Sequence, residues 1–483
     1  MTVIKESKLI ELLKGFQPAE YKRFGDFIMS PFHNKSETLI NLYEYLKKYS
    51  HDFGNCTVTN EDISKFVYKD KKLNPVKVRS LVSDFLKLIE QFFVYVQFES
   101  YDTFKKVLLL NELNNRDMPK NFKFVLGETM KKQATAFNKD EDYYYNQIFL
   151  EVESFNYHLD RHPVISESDF QKIGDNIDLF FILTKLNLFH FKFYHRQDIE
   201  ESSTYNLWLM DEILAYIESH LESISKQNPV IYIKYLVFMT IVKPEDESHF
   251  YTLKKYALNN VTKFDSVNLA YIFSALTNFC TLKCNLGIKK FKMERYSIYK
   301  MLDDRKILDK DKYINYVDFL NTIISAVEVN KLSWAEYFYN KNKDRIMPAI
   351  LKEDTLNMAS SQILYARKKY DEALKLISVV SYNNQYFYLR SKMLISRIYY
   401  DKNELEPIIY IIDAAKHYLK RNKRITKMNR EAFGNFYYFM TKILNLREHV
   451  NPKVFDTIAE LNKQINVSSK EWLMNKLKEM ETV

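Results

Sequence analysis

Ser361-Gln362-Ile363-Leu364-Tyr365-Ala366-Arg367-Lys368-Lys369-Tyr370-Asp371-Glu372-Ala373-Leu374-Lys375-Leu376-Ile377 is the stretch on which the reading of this chain turns. Its apolar positions Leu364, Tyr370, Ala373 and Ile377, with Val380 just beyond, return thirty-five residues later as Tyr399, Leu405, Ile408, Ile412 and Ala415. Ser361 and Ser396 precede the two sets at the same offset, a small residue where two helices have to cross closely. A segment that recurs at this period is one supersecondary unit, which buries its apolar face by stacking on its neighbours. The last third of the chain is therefore predicted to be helix pairs in a stack.

The rest of the composition agrees. Of 483 residues only seven are glycine and ten are proline, against about 7% glycine in an average protein. Phosphate-cradling loops, nucleophile elbows and dinucleotide fingerprints need glycines a few residues apart. No such motif can be written here. With 46% hydrophobic, 28% charged and 15% aromatic residues the chain reads as folded rather than disordered. The predicted fold is all-α: an amino-terminal helical bundle, residues 1–100, leads into irregular helical repeats, 101–310. An α-solenoid ending in tetratricopeptide-like pairs and capping helices, 311–483, follows.

The family name in that expectation rests on particular residues. Tyr370-Asp371-Glu372-Ala373-Leu374 resembles the stretch entering the second helix of the tetratricopeptide repeat, a helix-turn-helix unit of about 34 residues, and Leu332-Ser333-Trp334-Ala335-Glu336 is a weaker copy. The resemblance covers Tyr313 to Leu419, departing at Asn357, where the family carries a large aromatic residue, and at Pro407, in the first turn of a second helix. It implies that the first helix of each pair lines a groove. The register pairs Thr355 with Arg390, Met358 with Met393, Gln362 with Arg397 and Tyr365 with Tyr400. Tyr365, Arg390, Met393, Arg397 and Tyr400 are then the expected partner-binding residues. Arg390 and Arg397, two helical turns apart, are expected to grip the carboxylates of an acidic or carboxy-terminal peptide. Ser30-Pro31-Phe32-His33-Asn34-Lys35, Arg79-Ser80-Leu81-Val82-Ser83 and Lys470-Glu471-Trp472-Leu473 resemble, along the whole chain, a family of long, all-helical, uncharacterised bacterial proteins that end in such repeats.

Toward the amino terminus, helices are predicted over residues 6–13, 18–29, 36–49, 61–68 and 75–98. Thr59 opens one in a capping-box arrangement with Asp62, and Val78, Leu81, Val82, Phe85, Leu88, Ile89 and Phe92 mark the apolar stripe of the last. A short helix, a turn with Lys65, Lys69, Lys71 and Lys72, and a longer helix with Lys77 and Arg79 resemble the DNA-reading part of winged-helix response regulators. That resemblance implies a major-groove face of Asn74, Lys77, Ser80 and Ser83. No glycine-containing wing follows it.

Other constellations are weaker. Cys280 and Cys284 share a helix face without further ligands nearby and read as buried small hydrophobes; His158 and His162 read as helix-end residues. The run from Lys416 to Arg430 carries no acid. Its Lys420, Arg421, Lys423, Arg424, Lys427 and Arg430 are candidates for contact with phosphate or an acidic partner. Net charge is +9, from 71 basic and 62 acidic residues, a mild excess that permits such partners without demanding them. Three cysteines make no disulfide framework, no signal peptide or membrane span is visible, and the expected location is the cytoplasm. No catalytic, metal or cofactor residue is expected. The expected function is non-enzymatic binding of a protein or peptide; the alternative is a DNA-binding regulator with a repeat sensor domain.

Overall fold

The computed structural model describes residues 8–68, 74–161, 167–195, 207–308, 313–381, 384–423, 425, 427–448 and 453–481. Its Cα positions group into two compact units. One holds Met1–Ala134 and Asn146–Gln171, the other Thr135–Tyr145 and Lys172–Val483. Among the described residues regular structure is helical throughout, apart from a parallel two-residue pairing of Ile314–Asn315 with Ile346–Met347.

The first unit contains α1 (Lys8–Lys14), α2 (Pro18–Met29), α3 (Glu37–Lys47), α4 (Asn60–Tyr68), α5 (Pro75–Ser100), α6 (Asp102–Asn115) and α7 (Pro119–Ala134). To these it adds most of α8 (Glu141–Leu159). Proline opens α2, α5 and α7, where the missing N–H costs nothing. Thr59 and Asp62 exchange the reciprocal bonds of a capping box: Thr59 N donates to Asp62 Oδ2 at 3.0 Å and Asp62 N to Thr59 Oγ1 at 3.2 Å. The core of this unit is aromatic, with Tyr21, Phe24, Tyr43, Phe85 and Phe92 fully buried. Gly25 is required here. A Cβ on it would lie 2.2 Å from the Tyr43 hydroxyl, so α2 and α3 approach through the missing side chain.

The second unit takes up α9 (Glu167–His195) from Lys172 and continues with α10 (Met210–Ser219), α11 (Leu221–Gln227), α12 (Pro229–Val242), α13 (Ser248–Asn259), α14 (Ser266–Asn285) and α15 (Lys290–Asp304). Next come α16 (Tyr316–Glu328), α17 (Leu332–Asn342), α18 (Lys352–Ala366), α19 (Tyr370–Ile377), α20 (Gln385–Asp401) and α21 (Glu406–Arg421). The chain ends in α22 (Lys427–Glu448), α23 (Lys453–Lys463) and α24 (Lys470–Glu481). Sequence neighbours pack together, and in addition α12 meets α14, α16 meets α18, α18 meets α20 and α22 meets α24. That second-neighbour packing is how helix pairs stack into a solenoid. Helix α12 is apolar on every side and is buried nearly along its length, which makes it a core helix of this unit. No helix of the described residues is long and apolar enough to cross a membrane.

The thirty-five-residue offset reappears in the backbone. Lys368 (φ 61°) and Asn403 (φ 65°) both adopt the left-handed conformation just past the end of a first helix. After α18, Lys368 N donates to Tyr365 O and Lys369 N to Leu364 O, each at 2.9 Å. After α20, Asn403 N and Glu404 N make the same bonds to Tyr400 O and Tyr399 O. This is the Schellman turn, which satisfies carbonyls that the helix end would leave orphaned. It recurs after Asp117, Lys306 and Asn330, and once with a glycine, Gly287. A left-handed non-glycine residue costs about 1–2 kcal/mol. The chain carries that cost instead of placing a glycine at each turn.

Ser361 and Ser396 are fully buried. Ser361 Oγ donates to Asn357 O at 2.7 Å and lies 3.2 Å from Ala373 O, where α18 crosses α19. Replacing Ser361 by Leu forces a larger side chain into that crossing, with an expected loss of about 1–3 kcal/mol. Urea denaturation checks it: a midpoint equal to that of the parent would mean that the crossing lies elsewhere.

Candidate partner-binding surface

Helices α18 and α20 put Tyr365, Met393, Arg397 and Tyr400 together, as the register expects, and helix α24 of the same chain lies over them. Met393 and Tyr400 are 9% and 7% exposed, so they are not an open groove wall. Ser469, at the entry to α24, brings its Oγ to 3.5 Å from Met393 Sδ. The Trp472 ring meets Tyr400 edge-on at 5.3 Å between centroids. The Arg397 guanidinium sits 4.7 Å from the Tyr365 ring centroid and 5.7 Å from that of Trp472. An aromatic sandwich of this kind holds a guanidinium without a carboxylate clamp.

A short polar chain completes the joint. Tyr365 Oη donates to Asp401 Oδ2 at 2.6 Å, and Lys476 of α24 pairs with Asp401 at 3.0 Å. Both charged side chains of that pair are largely buried, at 12% and 18% exposure. Burial pushes the Tyr365 phenol up to about 12, the nearby Arg397 charge opposing and the Asp401 charge adding to the effect. Leu473 and Leu477 of α24 are fully buried, and Glu471 forms ion pairs with Lys289, at 3.0 Å, and Lys292 beside the α14–α15 turn. The last helix thus ties α20 to a turn some 180 residues earlier in the chain. Two donors in the joint, Arg397 Nε and Trp472 Nε1, are buried without a hydrogen-bond partner among the described residues.

Arg390 goes elsewhere. Its guanidinium lies 4.5 Å from the Tyr386 ring centroid and 3.5 Å from Asn321 Oδ1, on the α16 side of α20. The expected pair of arginines is therefore not one clamp. Residues seven apart on a helix stand about 10 Å apart along its axis, and here that separation gives them different neighbours.

The basic run is divided in the same way. Lys420, Arg421 and Lys423 are exposed at and just beyond the end of α21, where cations complement the helix dipole, and Lys427 is exposed at the start of α22. Arg430 donates to Asn422 O at 3.0 Å and Ile425 O at 3.2 Å, capping that turn. Arg424 lies outside the described residues, as do Lys69, Lys71 and Lys72 of the amino-terminal lysine turn and His162. On α5, Lys77, Ser80 and Ser83 are exposed on the side away from the buried stripe, and Asn74 caps the helix by accepting from Val76 N and Lys77 N. The same face continues into Asp84, which pairs with Lys87. Cys280 is fully buried and burial pushes its thiol up; the Cys284 thiol is pushed up to about 11 for the same reason.

One polar cluster has no counterpart in the sequence reading. Tyr271 Oη lies 2.7 Å from Nδ1 of the buried His190, and the Lys234 ammonium is 3.5 Å from the Tyr271 ring centroid. Burial, reinforced by the Lys234 charge, lowers the His190 imidazole to about 3; burial lowers the Lys234 ammonium to about 8, with Glu141 opposing. These residues come from α9, α12 and α14. No motif spacing joins them.

No family model matches this chain, and neither a curated protein nor a solved structure matches it.

Proposed function

We propose that the protein is a non-enzymatic, cytoplasmic interaction protein whose tetratricopeptide-like pairs, of the kind found in the bacterial family it resembles, receive a helix of a protein partner. The observation that supports this reading is α24. The Met393, Arg397 and Tyr400 stripe, with Tyr365, holds a helix of the chain itself through Trp472 and Lys476. A surface that accommodates one amphipathic helix presents the pockets a second one needs. The unmatched Arg397 and Trp472 donors make α24 an imperfect occupant, since each buried, unsatisfied donor costs about 1–3 kcal/mol. A partner helix that brings acceptors to Arg397 gains that energy back.

Affinity purification from the native cell with mass spectrometry, with and without nuclease, tests this. Protein partners are expected to survive nuclease and to be enriched by a Trp472→Ala variant, in which α24 is held less firmly. Partners that are indifferent to Trp472→Ala would remove this surface from the reading. The exposed α5 face with Lys77, Ser80 and Ser83 favours the second reading, a DNA-binding regulator, and partners that vanish with nuclease would promote it.

A further inference from the structure

A cavity of about 540 Å³ opens between α14, α15 and α16, with Phe338 of α17 at its floor. This is within the size range of small-molecule sites, roughly 300–1,000 Å³. Most of its wall is apolar, including Leu269, Phe273 and Leu302. Among the described residues that line it one side chain is charged, that of Asp318 in the first turn of α16, an exposed residue. The helix dipole accounts for an acid in that turn. It does not account for a carboxylate left without an ion-pair or hydrogen-bond partner among the described residues, facing an open, apolar space.

The hydroxyls around Asp318 are also one-sided. Thr277 Oγ1 spends its proton on Phe273 O, at 2.9 Å, and Thr322 Oγ1 spends its own on Asp318 O, at 2.7 Å. Thr322 Oγ1 retains lone pairs and can only accept, while Thr277 Oγ1 also meets the Tyr299 hydroxyl. Burial pushes the neighbouring Tyr299 phenol up, with the Asp318 charge adding to that effect, and Asp318 is the one carboxylate among the described residues that line the cavity. The protein around the carboxylate raises its own affinity for a proton, which is the response of an anion short of a counter-charge.

We infer that this cavity binds a small primary ammonium with an apolar body, the ammonium on Asp318 and the body against Leu269, Phe273 and Leu302. An anion would meet the carboxylate. A neutral ligand of the same shape would strip water from Asp318 and leave it uncompensated, which is costly. An ammonium supplies the missing charge together with an N–H donor for the acceptor-only Thr322 hydroxyl, and charge-assisted bonds are the stronger kind. The inference is independent of the helix-receiving surface on α20.

Isothermal titration calorimetry of the full chain with phenethylammonium, phenethyl alcohol and phenylacetate tests it. The ammonium is expected to bind, the alcohol at least about tenfold more weakly, and the carboxylate not at all. Asp318→Asn, near-isosteric, is expected to weaken the ammonium by about tenfold or more while leaving the alcohol unchanged. Ser274→Phe, which fills the cavity from α14, is expected to abolish both. The inference is overturned if the ammonium does not bind, if the alcohol binds as tightly, or if Ser274→Phe binds the ammonium like the parent. Should Asp318→Asn fail to fold, the comparison of ammonium with alcohol on the parent chain still decides.

Discussion

An Arg397→Glu variant is expected to lose about 2–3 kcal/mol of stability in the second unit, because a half-buried guanidinium between two rings gives way to a carboxylate without a partner. The wild-type guanidinium lies between Tyr365 and Trp472, and Tyr365 bonds Asp401. A carboxylate in its place meets two ring faces, beside the Tyr365 hydroxyl's bond to Asp401, whose ion-pair partner among the described residues is Lys476. The Tyr365 bond to Asp401 and the α24 seat then weaken together. Arg390→Glu is the control. That arginine lies over Tyr386, away from Asp401, and its replacement is expected to cost about 1 kcal/mol, the scale of a half-exposed cation–π contact. Urea denaturation followed by tryptophan fluorescence, with Trp472 as a local reporter, measures both. Equal losses in the two variants would show that the arginines act as one site after all.

Acid is expected to unfold the second unit through His190. The imidazole is neutral in the fold, with its proton affinity lowered to about 3, whereas an unfolded chain protonates histidine near pH 6.5. Below about pH 6.5 the unfolded state takes up a proton that the folded state refuses, so stability falls as pH falls. The expected loss is about 2 kcal/mol at pH 5, and about 4 kcal/mol by pH 3. His190→Gln, which keeps a hydrogen-bonding side chain for Tyr271, is expected to flatten the curve between pH 6.5 and 4. Lys234 acts at the other end. Its ammonium is held near 8 against about 10.4 in an unfolded chain, so the penalty for burying it is present at neutral pH and lifts as pH rises from 8 to 10. Lys234→Met is expected to remove that rise. A His190→Gln chain with the parent's acid midpoint would place the acid sensitivity elsewhere.

Much of the local structure was legible because it is dictated by neighbours in sequence. Pro18 and Pro75 open helices where the pattern puts them, Thr59 and Asp62 cap α4, and the Val78 to Phe92 stripe is the buried face of α5. The offset between Tyr370 and Leu405 gave the pairs their period, and it returns in the left-handed Lys368 and Asn403 and in the buried Ser361 and Ser396. Scarce glycine excluded the glycine-loop chemistries, although it concealed the Schellman turns, which lysine, asparagine and aspartate supply at some energetic cost.

That Tyr365, Arg397 and Tyr400 lie near one another followed from the register, but the helix that covers them did not, and Arg390 lies apart from them. Trp472, Leu473 and Leu477 mark an apolar face on α24, and many helix faces in this chain are apolar; nothing local says which one covers Tyr400. That choice depends on how the turns between α14 and α22 bend the stack until residues near 290 and 471 meet. The cavity beside Asp318 and the cluster of His190, Lys234 and Tyr271 share this origin, since each is assembled from helices far apart in the chain. Sequence by itself determined where helices begin, which face each buries and the period at which pairs recur, because these follow from propensity, capping and side-chain spacing within a few turns. Tertiary structure alone decided which buried faces meet, which arginine is enclosed and which carboxylate is left facing a cavity. Packing joins surfaces by shape and charge, whatever their separation along the chain.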